Sequence, residues 1–352
     1  MRRRKQKSFL ASALLIAETL ANMKATLLHI IIFTLFISGC TSRKIEPLPQ
    51  HGLLWKITGN GLKNTSFLFG TYHNSEGMQI LDSIKTFDSI FSSTNQLICE
   101  FQLTDFTNHL EKKKENDFKL LKPWPNPDST YNNLLTNHQK IIFDSVINST
   151  KLLKKLKKAN LNLRPISFLN FIKLTEESKS NDGLTKIPIL DSYLQNLAME
   201  RDMKVISLDS EKELKEINDS INNHLSQLDY RTEVDILIYY IKNKQRIDSL
   251  KQNYTNRLLT TYLNQDILSL EQKSEELNAH NNIILSFIGN KKLMQFQKEM
   301  LIDKRNNFWI SKIPSLIKNN SSFIAVGASH LGGEKGLINQ LRLLNYNLVT
   351  IK

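Results

Sequence analysis

Two short segments of the chain carry residues that could do chemistry together. Residues 67–77, FLFGTYHNSEG, run an apolar stretch into Gly70 and set His73 three residues later. Residues 323–333, FIAVGASHLGG, repeat the pattern with Gly327 and His330. Between them, QLICEF (96–101) places Glu100 inside an apolar run, where a carboxylate is costly unless it is paired or bound to a metal. Two imidazoles and one carboxylate compose an open metal site with a position left for water. A metal held there would lower the pKa of that water and make hydroxide available near neutral pH. Each piece alone is ordinary: one histidine after a strand is usually a loop or capping residue, and a lone Glu100 could be a salt-bridge partner at a sheet end. The three make a site only if their strands are neighbours.

The elements that must position them can be read from patterning. LLWKIT (53–58) and SFLFGT (66–71) are strand-like, and the turn residues of GNGLKNT between them predict a hairpin. Ile80, Ile84, Phe87, Ile90 and Phe91 predict a helix over 78–91, followed by a buried strand at 96–101. From about 104 to 320 the chain reads as largely helical, with apolar residues at three- and four-residue spacing in 141–157, 188–200, 232–250, 257–270 and 282–302. KVISLD (204–209) interrupts as a strand. A strand at 323–327, a helix at 334–344 and a strand at 346–351 end the chain. This order predicts an α/β (α+β) fold, with a mixed sheet assembled from N- and C-terminal segments around a large helical insertion. In an open sheet of that kind, residues just past the carboxyl ends of the strands line the ligand crevice.

The N-terminus reads as targeting sequence. MKATLLHIIIFTLFISGC (23–40) holds an apolar run too short for a membrane span and ends Ile37-Ser38-Gly39-Cys40, which looks like a bacterial lipobox. Residues 1–39 are therefore expected to be a signal peptide, with Met23 a candidate start, and Cys40 a lipidated residue. Residues 40–51 then form a tether, and 52–352 the folded domain. With Cys40 lipidated, Cys99 has no disulfide partner and reads as a small buried hydrophobe. The formal charge is +13, but residues 1–39 hold six Lys or Arg against Glu18, so thirteen becomes eight without them. The remaining excess lies in mixed runs such as KLLKKLKK (151–158), where Leu152, Leu153 and Leu156 fall at helical spacing and leave a solvated basic face. No aromatic and basic interleaving accompanies the charge, so nucleic-acid binding is not expected.

LLWKITGNGLKNTSFLFGTYH, LICEF, RNNFWISKIPSLI (305–317) and FIAVGASHLGGEKGLINQLRLLNYNLV together resemble the TraB/GumN family, which includes the TIKI-type proteases. The segment ILDSYLQNLAMERDMKVISLDSEKEL (189–214) resembles that family's Asp-containing helix and following strand. The resemblance implies a hydrolase-like site in which two Gly-x-x-His motifs and a glutamate bind a divalent cation such as Mn, Co or Zn. Carried over, these are Gly70 with His73, Glu100, and Gly327 with His330. The family's Arg-Asn pair matches Arg305-Asn306, implied to be catalytic; a structural ion pair is the other role open to Arg305. Asp191 matches the helix Asp, implied to support the site from behind or simply to cap. Asp209 stands where the family usually has Glu, one methylene longer. His51, His109, His138, His224 and His280 match nothing. The expected protein is a lipid-anchored component of the bacterial cell envelope, facing away from the cytoplasm, with a peptide or protein substrate. The alternative is an envelope protein that binds a ligand or peptide in the same cleft without turnover, and a third is a purely structural lipoprotein.

Overall fold

The computed structural model describes residues 51–102, 131–148, 163–180, 189–225, 228–281, 295–296 and 298–351. The expected signal segment, Cys40 and most of the tether lie outside the described residues, as does His109. Residues 48–352 form one unit.

Its centre is a six-stranded mixed sheet in the order β4-β3-β5-β2-β1-β6. β1 (Leu54–Gly59) pairs antiparallel with β2 (Ser66–Thr71) through the expected hairpin, and antiparallel with β6 (Tyr346–Ile351) on its other side. β5 (Ser322–Gly327) lies between β2 and β3 (Gln96–Cys99), parallel to both, and β4 (Lys204–Ser207) extends the parallel set beside β3. β2 and β5 are buried along their whole length, so their apolar runs show no alternation. The terminal halves of the chain thus complete one sheet, as expected.

Among the described residues the α-helices are α1 (Ile80–Ser83), α2 (Phe87–Ser92), α3 (Tyr131–Leu134), α4 (Asn137–Ile147), α5 (Pro165–Ser180), α6 (Leu190–Glu200), α7 (Glu211–Leu225), α8 (Tyr230–Leu263), α9 (Ile267–Asn281), α10 (Lys304–Ile317) and α11 (Leu337–Leu343). Two differ instructively from the expectation. The helix expected over 78–91 is broken at Ile84, where φ −107° and ψ 80° leave the helical region. This break turns both Ile84 and Phe87 into the core. Conversely, the two helices expected at 232–250 and 257–270 are joined: α8 runs unbroken to Leu263, and the chain turns only at Gln265, whose φ is 55°. KQNYTN (251–256) lacks an apolar stripe, yet it holds no Gly or Pro to stop a helix.

That missing stripe has a structural cause. α8 spans two separate cores: Val234, Ile236, Leu237, Ile238 and Tyr240 pack with Phe143, Ile147, Phe168, Leu169 and Ile172, whereas Leu258 and Tyr262 join the sheet's core. From Asp248 to Arg257 no apolar side chain of α8 joins either core. In the first core, buried Glu233 accepts from Arg164 Nε at 3.2 Å and is neutralised by its guanidinium; removing one partner of such a buried pair costs about 3–5 kcal/mol. The sheet's core is anchored by Phe69, Phe87, Phe91 and Phe323, whose ring centroids stand 5.0–5.9 Å apart. Among the described residues, no helix is long and apolar enough to cross a membrane.

Candidate active site at the carboxyl edge of the sheet

The four parallel strands end on the same edge, and each delivers one polar side chain there. His73 follows β2, Glu100 follows β3, Asp209 follows β4 and His330 follows β5. Parallel pairing continues just past the strands, with Leu208 N donating to Cys99 O at 2.8 Å and Asp209 N to Glu100 O at 2.8 Å. This fixes Asp209 beside Glu100. The three residues picked out by sequence patterning converge: His73 Nε2 lies 3.9 Å, and His330 Nε2 4.0 Å, from the same oxygen, Oε1 of Glu100.

Each imidazole is oriented through its other nitrogen. His73 Nδ1 stands 2.9 Å from Asp191 Oδ2; a carboxylate can only accept, so Nδ1 carries the proton. Asp191 is held in turn by Thr71 Oγ1, which donates to Oδ1 at 2.8 Å. His330 Nδ1 is 2.7 Å from Asn306 Oδ1. The Asn306 amide donates to His330 O at 3.3 Å and to Lys335 O at 3.0 Å, which leaves its oxygen to accept from Nδ1. Both Nε2 atoms are thereby left to face Glu100. Asn306 acts on the site through His330 rather than by reaching its open side.

Arg305, at the start of α10, is fully engaged. Its Nε and Nη2 donate to the two Asp209 oxygens at 3.4 and 2.6 Å, Nη2 also pairs with Glu100 Oε2, and Nη1 lies 3.4 Å from His330 Nε2. The chain reaches α10 through a π-helical turn, Glu299–Asp303, a device often found beside functional positions. Beneath this cluster lies Trp309, fully buried, with its Nε1 donating to Asp209 Oδ1 at 2.7 Å. The motif glycines make room. A Cβ on Gly327 would stand 2.9 Å from His73 Nε2 and 3.3 Å from Glu100 Oε1; one on Gly70 would stand 2.7 Å from Leu331 Cδ1 and 3.1 Å from Ala328 Cα.

Trp309 and Thr71 were not singled out in the sequence. Trp309 precedes Ile313 and Ile317 at four-residue spacing and reads as core; its place four residues after Arg305, one helical turn on, was the available signal. Thr71 is the last residue of a buried strand, with nothing in its type to mark it. His51 is exposed and 3.2 Å from Asn264 O, and exposed His138 lies on α4, both apart from this cluster.

The electrostatics set the site residues far apart. Burial alone would raise Glu100, but Arg305, His330, His73 and the Gly327 N–H (2.7 Å to Oε1) hold it at about 2. Burial pushes His330 down to about 3, against the pull of Glu100. Partial loss of hydration beside the sheet edge would lower the half-exposed His73, yet its bond to Asp191 and the Asp191 and Glu100 charges raise it to about 9. Asp209 is raised by burial, with Arg305 and Trp309 working against that. A pH dependence follows for the metal-free protein. His73 is raised above its usual 6.5, so its contribution to stability is complete below 6.5 and is lost as pH climbs through about 9. Glu100 contributes above 4.5 and loses its contribution as pH falls through about 2. His330, kept neutral, penalises the fold as pH drops from 6.5 towards about 3. Thermal midpoints of chelator-treated protein should therefore decline on both the alkaline and the acid side, and Asp191→Asn should flatten the alkaline limb.

Among the described residues, no three His, Cys, Asp or Glu side chains close into a metal-holding group as they stand. Imidazole and carboxylate are nonetheless donor types that a divalent cation accepts. Two imidazoles, each fixed through Nδ1 by an outer partner, present Nε2 towards one carboxylate oxygen, the arrangement that orients histidine ligands.

A mixed sheet that gathers histidines and carboxylates just past the ends of its parallel strands defines an α/β protein with a polar cluster at the carboxyl edge of its sheet. The chain belongs to the TraB/PrgY/gumN family, whose model matches residues 53–349. Neither the curated proteins nor the solved structures yield a match.

Proposed function

We propose that this protein is a divalent-metal-dependent hydrolase of peptide bonds, anchored by lipid in the bacterial cell envelope and facing away from the cytoplasm. The observation that carries the chemistry is the convergence of two oriented imidazoles on one buried carboxylate oxygen. His73 and His330, through Nε2, and Glu100, through Oε1, would hold the cation. When bound, a divalent ion there would supply Lewis acidity, lowering the pKa of water and polarising a scissile carbonyl. The chain's own residues do the rest. Asp191 and Asn306 engage the two Nδ1 atoms, so Nε2 is the nitrogen each ring would offer to a cation, His73 giving up its Nε2 proton as the ion binds. Glu100, ionised at neutral pH, either completes the donor set or takes a proton from the attacking water. Arg305 holds Glu100 in its ionised form and lies beside His330, where its charge would also favour a developing oxyanion. The lipobox-like Ile37–Cys40 supports the envelope location, with the membrane as partner through the lipid and no nucleic acid.

The test uses the purified full chain in detergent. Bound metal is measured, followed by cleavage of a mixed peptide pool with added Mn, Co or Zn. Wild type should hold metal and cleave, chelation should stop cleavage, and His73→Ala and His330→Ala should each lower both. A wild-type protein with neither bound metal nor metal-stimulated cleavage would sink this reading. A second reading, ligand binding without turnover, draws on Glu100 itself, whose Oε2 is taken by Arg305 and whose Oε1 accepts from Gly327 N–H. Saturable peptide binding that survives Glu100→Ala, with no product formed, would favour it.

A further inference from the structure

We infer that Trp309 is a positioning residue of this site, fixing the Arg305 guanidinium and the His330 ring at one separation from a single rigid base. Three contacts converge on it. Its Nε1 donates to Asp209 Oδ1 at 2.7 Å, and Asp209 receives both Nε and Nη2 of Arg305. The Arg305 guanidinium carbon also lies 4.5 Å from the centre of the indole, a cation–π contact. The His330 ring centroid is 4.4 Å from that of Trp309.

The consequence is mechanical. Asp209 carries two oxygens, and Arg305 alone cannot prevent the carboxylate from rotating, because its longer bond, from Nε to Oδ1, is 3.4 Å. The short indole bond to the same Oδ1 supplies the missing constraint, so the carboxylate is gripped from both sides. The indole is itself fully buried and packs in the sheet's main core. Core packing therefore sets the position of Arg305, and Arg305 sets that of Glu100 Oε2. A tryptophan filling space alone would need only its ring; this one uses its N–H and the ring face together.

The inference rests on the hydrolase reading only in calling the cluster an active site, and its test does not need turnover. In the full chain, hydrogen exchange of the Arg305 Nε–H is followed by NMR, assigned by its loss in Arg305→Lys. Exchange of the β5 backbone amides is recorded alongside. Trp309→Phe keeps a ring and removes the N–H. It should speed exchange at Arg305 about ten-fold to a hundred-fold, the range for losing a hydrogen bond to a charged group, while leaving the β5 amides within about two-fold of wild type. Combining it with Asp209→Asn should add little further, because both changes break the same linkage. Unchanged exchange at Arg305 would overturn the proposal, as would equal acceleration at Arg305 and β5, which would make the indole a mere core filler. Should Trp309→Phe not fold, Trp309→Tyr replaces it under the same criteria. Metal binding and peptide cleavage are measured on the same samples. If wild type shows neither, the hydrolase reading falls while the exchange result still decides the role of Trp309.

Discussion

If the protein is the metal-dependent hydrolase proposed above, Gly327→Ala is expected to cut metal-stimulated peptide cleavage by about 100-fold or more in a protein that still folds. The backbone there has φ −52° and ψ 134°, which any residue adopts, so the constraint is space and not conformation. The added methyl would meet His73 Nε2 at 2.9 Å, closer than carbon tolerates, and Glu100 Oε1 at 3.3 Å, a tight contact. His73 is the group that can yield, because its side chain is 56% exposed whereas that of Glu100 is 6% exposed and tied on both oxygens. The imidazole should swing outwards, and the convergence on Oε1 is lost. A displacement on the order of 1 Å at reacting groups costs about 100-fold in rate, so kcat/KM should fall by at least that much. The thermal midpoint should move by no more than a few degrees, about the effect of 1 kcal/mol. Gly70→Ala supplies the contrast. Its methyl would press on Leu331 Cδ1 and on Ala328 Cα inside the core, so the loss should appear as stability, about 1–3 kcal/mol of overpacking. An active Gly327→Ala enzyme would remove the crowded edge of the sheet as the seat of catalysis.

Glu100→Gln should lower both activity and stability, with different pH signatures. Gln retains an oxygen for the Gly327 N–H but carries no charge for Arg305 or for a cation. Loss of a general base or of a charged ligand predicts a fall of about 10²–10⁴-fold in kcat/KM. Stability should drop by about 1–3 kcal/mol, the range for losing a charged hydrogen-bond partner. Arg305 keeps both Asp209 oxygens and is not left unpaired, which is why the drop stays in that range. Because Glu100 is held at about 2, the stability gap between the variant and wild type should be full above pH 4.5 and close as pH falls through about 2. Urea unfolding at several pH values measures it directly. A gap that does not change with pH would show that the lost interaction is not the carboxylate's charge.

Much of this site is legible in the sequence because the chain marks it with abrupt changes of character. FLFG and FIAVG are short uninterrupted apolar runs, each stopping at a glycine before its histidine, and that length and ending favour a buried strand. Glu100 is legible for the opposite reason, a charge where the pattern calls for an apolar residue. Asp191, Asp209 and the Arg305-Asn306 pair carry no such mark, and it is the family resemblance that brings them into view. Their partners are more than 90 residues distant in sequence in the Arg305–Asp209 and His73–Asp191 contacts, and no local period records such a pairing. Trp309 is illegible because its two duties look alike: a tryptophan one turn before Ile313 is what a core demands, whether or not its N–H is used. The continuous α8 is hidden similarly. Periodicity reports the cores that a helix touches, and a helix that bridges two cores falls silent between them.

The central place of β5 has a consequence for when this protein can act. β5 joins β2 to β3, so until it inserts, the sheet exists as separate pieces: the β1–β2 hairpin on one side and the β3–β4 pair on the other. His73 belongs to the first piece, Glu100 and Asp209 to the second, and His330 arrives with β5 itself. A chain ending before Ser322 therefore holds most of the polar groups of the site but lacks His330 and the strand that sets His73 against Glu100. Pairings across such separations are slow to form, because the closure of long loops precedes the contacts that reward it. His73 and Glu100 are thus brought together only by β5, and the site cannot close before that strand is in place.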